Sequence, residues 1–520
     1  MESLNILGKK LYHALGLIDA ARQKDLNKRE KAEKIHVVGA GSTITAAYEQ
    51  LRNAAENAEE HLLLQNAIRR FYKRVFLTQQ EKDIESSAEE LVTELTFAGY
   101  LANDTVPEYL LRSLNKLAKQ YHVAYVQIQN DPKTNNLRVD PWIFDVLAAE
   151  AAALFRERLL QEGCSQFAFE YFKSALDPAE VFDSPPADFD TSLFIAIHRE
   201  LLKSGPALIR AALLKSYQAK VADTENYFLV NQQIDTLLDS KNADILARIV
   251  NRRGAPLRIL FRMIETQEDF SQLLLHEKRF LGAYESQIES EYSSISQRIN
   301  RGIVKSVVFL IITKVLMGVA VEVPYDYIVH GTIIWLPLIV NLFFPPVYMV
   351  LLRATLNLPP SANTIRLVRQ VQGILYSDGK ATQLHRRKKQ FGATYNVVYV
   401  LFILAVFAGV SWLLVSYARF EWIHLLIFFV FLSGASFLGF RLSRLIREVE
   451  SIDSDQSSTS MVRDFLYMPF VVVGQKISET YAQMNIVAMV LDMAIELPLK
   501  TVLRLVRQWA SFISSKKDQL

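Results

Sequence analysis

Two long apolar runs, 396–417 and 422–440, constrain this chain more than any other feature. Val397 to Tyr417 contains no charged residue, and the only ionisable group between Trp422 and Phe440 is His424. As helices, such runs are long enough to cross the roughly 30 Å hydrocarbon core of a bilayer. The chain therefore reads as an integral membrane protein.

Length and charge add a second part. The 520 residues are too many for one core, and a mean hydropathy of +0.12 is high for a chain that is 22% charged. The two values fit together only if charge is segregated. Residues 1–300 are densely charged, and most of the apolar runs lie between 303 and 440. A net charge of +3 argues against nucleic acid as a partner. The single cysteine, Cys164, excludes an intramolecular disulfide and reads as a buried structural thiol. The segment Met1–Gly16 has no signal-peptide core, because Lys9, Lys10 and His13 interrupt it.

Residues 1–300 read as a cytosolic all-α domain. In Ser42–Arg74, apolar residues recur at three- and four-residue spacing. Further helices are expected at 84–102, 107–121, 141–162, 189–203, 206–222, 226–238, 242–252 and 256–298. Breakers such as Pro107, Gly163, Gly205-Pro206 and Gly254-Ala255-Pro256 separate them. A short hairpin within Val123–Val139 and a polar stalk over 267–298 are also expected.

The membrane region holds four candidate spans. The first hairpin occupies 301–352. Its first span, Ser306–Val321, is short, about 24 Å as a helix, and Glu322, Pro324 and Asp326 follow it. Its second, Ile328–Leu352, carries Pro337 and Pro345-Pro346, which predict kinks. A basic loop, 353–395, precedes the second hairpin, 396–440. The link 418–421 makes that pair antiparallel. The basic loop and Arg441, Arg444 and Arg447 place both termini in the cytoplasm, on the plasma membrane. Trp412, Tyr417, Phe420 and Trp422 cluster at the expected outer boundary.

The remaining 441–520 reads as a cytosolic tail, beginning with a solvated linker at Glu448–Ser460. Phe465–Gly474 is apolar but too short to span. In Leu499–Lys517, Lys500, Arg504 and Arg507 lie opposite an apolar face containing Trp509. That pattern suits a helix on an anionic leaflet, or one packed on the cytosolic domain.

Four features invite a functional reading. Lys314, Gly318, Glu322 and Asp326 recur every fourth residue and share a helix face. With His330 and the prolines they form a candidate intramembrane polar site for a channel or transporter. The rise between Lys314 and Glu322, about 12 Å, argues against a direct pair. The simpler expectation is a short, partly re-entrant hairpin, with Lys314 snorkelling and both acids outside the membrane. Arg386, Arg387, Lys388 and Lys389 suit anionic lipid headgroups or serve only as a topology signal. Gly39 and Gly41 resemble the start of a dinucleotide fingerprint, but the third glycine is replaced by Ile44 and no βαβ unit follows. Ala405/Gly409 and Ala435/Gly439 are small-residue pairs that permit close helix approach.

No catalytic, metal or cofactor motif is present in the sequence. The expected function is that of a membrane-anchored interaction or scaffold protein without catalysis, bound to an unknown protein partner or to itself. The alternative is an oligomeric channel or transporter.

Overall fold

The computed structural model describes residues 4–37, 60–78, 84, 86–130, 139–156, 158–267, 269–377, 393–451 and 458–484. These residues are helical with no strands; Lys34 and Pro107 form an isolated bridge. They form two compact units. One comprises 9–174 and 184–250, the other 4–8, 175–183 and 251–484.

The helices before the first span are α1 (Ile6–Glu30), α2 (Glu60–Thr78), α3 (Ser87–Phe97), α4 (Tyr109–Asn130), α5 (Val146–Phe155), α6 (Leu159–Ala175), α7 (Pro178–Val181), α8 (Phe189–Glu200), α9 (Pro206–Ser216), α10 (Thr224–Leu238), α11 (Lys241–Arg253), α12 (Ala255–Thr266) and α13 (Phe270–Leu274). Then come α14 (Glu277–Met317), α15 (Val323–His330), α16 (Trp335–Thr355), α17 (Ser361–Leu375), α18 (Ala393–Ala418), α19 (Trp422–Arg447) and α20 (Ser458–Met484).

In the first unit α5 is apolar on nearly every side and lies at the centre of the core, as such a helix must. A π-turn, Pro141–Asp145, leads into it and buries Trp142, Ile143 and Phe144. Several core polar groups are paired. Tyr227 donates to the Trp142 carbonyl, and the Trp142 indole donates to Asp235 at 2.9 Å. Arg210 donates to Asn231 at 3.0 Å and also pairs with Asp235. Cys164 is buried.

Several sequence expectations change here. The helix expected over 141–162 ends at Phe155, a new one starts at Leu159, and Gly163 lies inside α6 rather than ending a helix. Helix α4 runs through the proposed hairpin start to Asn130, since its apolar stripe continues through Ala124, Tyr125 and Ile128. The rest of that hairpin, and most of Ser42–Arg74 before Glu60, lie outside the described residues.

In the second unit, α14, a π-turn (Gly318–Glu322) and α15 form one continuous helix from Glu277 to His330. Its 54 residues span roughly 80 Å. Buried positions Phe280, Tyr284, Ile288, Glu291, Ile295, Ile299, Ile303, Leu310 and Lys314 follow a three- and four-residue stripe. No break separates a stalk from the first span, because that stripe never changes phase. Helix 256–298, expected as one piece, is divided by Gln267 and His276 into α12, α13 and the start of α14.

Among the described residues, four helices are long and apolar enough to cross a membrane: Glu277–His330, Trp335–Thr355, Val397–Ala418 and Trp422–Arg447. By length and composition this is a multi-pass membrane protein. The first hairpin turns at Gly331, which caps α15 at φ +70. Pro337 sits in the first turn of α16, where its missing N–H leaves no helix bond unmade, so only Pro345 and Pro346 are interior.

The loop 353–395 carries more than charge. Within it, α17 buries Asn363, Leu367, Val371 and Leu375. Asn363 donates to the Tyr292 hydroxyl and the Val449 carbonyl, both at 2.8 Å, and accepts from Ser451 N–H at 2.7 Å. Residues 448–451 are thereby fixed rather than solvated. The short apolar segment is also packed over 467–474. Phe470 contacts the rings of Phe407 and Phe429, and Gly474 lies against the Ser433 backbone in the middle of α19.

Candidate functional site: a buried polar network among the spans

Lys314 takes its place from the α14 stripe, which points it inward. A spacing of four drifts about 40° per step on an α-helix. The wider π-turn absorbs part of that drift and keeps Glu322 and Asp326 on the inner face. Pro324, two residues after it, cannot donate to the carbonyl four residues earlier, which favours irregular pairing at this point.

Two other helices complete the network. Lys314, Glu322, Asp326, Asn341 and His424 are 2, 1, 0, 1 and 0% exposed. Asn341, from α16, donates to Glu322 at 3.0 Å and to the His424 carbonyl at 3.3 Å. Lys314 Nζ lies 3.8 Å from Glu322 Oε1 and 4.3 Å from the centre of the Phe431 ring. The expected separation of Lys314 and Glu322 is thus corrected. The axial rise separates the two backbones, whereas the long side chains and the π-turn bring the charges together. Snorkelling is corrected too, since Lys314 and both acids are enclosed by protein.

His424 is oriented by the N-terminus of α19. Glu421 caps that helix, and its N–H donates to His424 Nδ1 at 3.4 Å. The proton therefore resides on Nε2, which faces Asp326 Oδ1 at 3.2 Å but is not aligned for a hydrogen bond. Asp326 Oδ2 accepts from Ile334 N–H at 3.0 Å. Among the described residues, Lys314 Nζ, Asp326 Oδ1, Asn341 Oδ1 and His424 Nε2 find no hydrogen-bond partner.

His330 is not part of this buried set. Its Nε2 pairs with Glu421 Oε1 at 2.8 Å, both side chains being 31% exposed. Tyr325 donates to the other oxygen of Glu421 at 2.9 Å. Glu421 thus joins an accessible rim, His330 and Tyr325, to buried His424.

Asn341, His424, Glu421 and Tyr325 were not among the sequence candidates. Asn341 and His424 each interrupt an apolar run as a lone polar residue, a usable signal; the roles of Glu421 and Tyr325 required the fold. Arg386, Arg387, Lys388, Lys389, Lys500, Arg504 and Arg507 lie outside the described residues, as do Gly39 and Gly41. Gly439 abuts Leu352 of α16, whereas Gly409 has open space around it.

No family model, curated protein or solved structure matches the chain.

Proposed function

We propose that this multi-pass membrane protein handles protons within its membrane unit, as a proton-conducting or proton-coupled transporter. The observation that carries this is the buried set Lys314, Glu322, Asp326 and His424, whose hydrogen-bonding capacity is only partly used. Charged groups at membrane depth are costly, and an anchor has no use for them. Titratable groups buried beside an accessible rim at His330 and Glu421, with Glu421 tied to His424 through its backbone N–H, argue for a proton path between rim and interior. Four spans are few for a pore, so self-assembly belongs to this proposal.

A second role, a non-enzymatic membrane-anchored scaffold, draws support from the separate helical unit of residues 9–174 and 184–250. In either role the basic residues argue for cytoplasmic termini in the plasma membrane. Arg386–Lys389 and Lys500, Arg504 and Arg507 argue for anionic lipid contacts.

The test is proton flux into liposomes reconstituted with the full chain, read by an entrapped pH dye under an imposed gradient. Flux above protein-free liposomes that is lost in Asp326→Asn and His424→Gln supports the proton role. Flux equal to protein-free liposomes removes it and leaves the scaffold.

A further inference from the structure

The unit of residues 9–174 and 184–250 contains a cavity of about 700 Å³, far from any residue of the polar network in sequence. Its size falls in the range of small-molecule sites. The local sequence keeps it open: Ala149, Ala153, Ala211, Ala212, Ala219 and Ala222 line it where larger side chains would fill it.

The polar groups on its wall differ in how far they are satisfied. His198 is spent, with Ser165 at 2.9 Å on one ring nitrogen and Ser204 at 3.2 Å on the other. Glu150 is hydrogen-bonded to Tyr121. Glu162 is held by Lys215 at 3.1 and 3.2 Å. Arg158 is different. It is half-buried on the cavity wall, and among the described residues no carboxylate lies within ion-pair distance of it. Its guanidinium offers five donors in a planar fork suited to an oxyanion. The charge of Glu162, held by Lys215, also acts on Arg158, but among the described residues the Arg158 guanidinium makes no hydrogen bond, so its donors remain open to a ligand.

We propose that this cavity binds a small amphipathic organic anion, its apolar body against the alanine wall and its acidic head on Arg158. A carboxylate and a phosphate or sulfonate share this chemistry. The proposal is independent of the proton role.

The test uses the full chain in lipid nanodiscs, titrated calorimetrically with naphthylacetate and with naphthylethylamine, with empty nanodiscs subtracted. Saturable binding of the acid but not of the amine is expected. Arg158→Gln should weaken acid binding at least about tenfold, and Ala212→Trp, which fills the cavity, should abolish it. No saturable binding of the acid overturns the proposal. So does an amine that binds as tightly, or binding unchanged in Arg158→Gln. The comparison of acid with amine needs only the unaltered protein, so a poorly folding Ala212→Trp leaves the test intact.

Discussion

Asp326 and His424 face each other at 3.2 Å with no solvent contact, and Lys314 faces Glu322 nearby. Removing one partner of a buried pair strands the other charge. Glu322→Ala should therefore destabilise the fold by about 3–5 kcal/mol, read from unfolding in detergent. The double replacement Lys314→Met with Glu322→Leu strands no charge, and Asn341 keeps the His424 carbonyl as acceptor, so it should restore most of that stability. Proton flux should stay lost in the double variant, which separates function from folding. In the other unit, burial lowers the pKa of His198 from 6.5 to about 4. Between these values the unfolded chain holds a proton that the folded chain excludes. Stability is thus full above about pH 6.5 and falls as pH drops towards 4, by up to about 3 kcal/mol. His198→Gln should flatten that part of the profile in thermal unfolding scans.

At the scale of elements, two glycines in helices make opposite demands. A Cβ on Gly474 would lie 2.2 Å from the Ser433 carbonyl oxygen, a backbone atom that no rotamer change moves. Gly474→Ala should cost about 1–3 kcal/mol and loosen α20 from α19. Gly282, on α14, has nothing within 4 Å of its would-be Cβ. Gly282→Ala should instead raise stability by about 0.5–1 kcal/mol through helix propensity. Thermal unfolding of both variants in one detergent checks the pair. The shared face of Lys314, Glu322 and Asp326 was legible in the sequence, because four-residue spacing is a local property. The π-turn was not, since its wider pairing depends on what Lys314, Glu322 and Asp326 meet on α16 and α19.

For the whole molecule, the four membrane-length helices predict that both hairpin links lie on one side of the bilayer. Thr332→Cys and Arg419→Cys, each in a Cys164→Ser background, should react with an impermeant maleimide on intact cells. Lys389→Cys should react only after permeabilisation. Protection of position 332 from both sides would make the first hairpin re-entrant and remove the proton path's accessible end. The fold class and the four spans were readable in advance, because length and hydropathy suffice to identify a helix that can cross a bilayer.

The sequence by itself determined that the chain is helical, that it enters a membrane, and that Lys314, Glu322 and Asp326 share a helix face. Hydropathy, length and residue spacing encode each of these along a single helix. Only the tertiary structure decided that Asn341 and His424 join those charges, and that His330 pairs with Glu421 instead. The same holds for residues 448–451, which are bound at Asn363, and for 467–474, which packs on α19. These partners lie up to about a hundred residues apart in the chain, and no local period encodes which side chains the packed helices bring into contact.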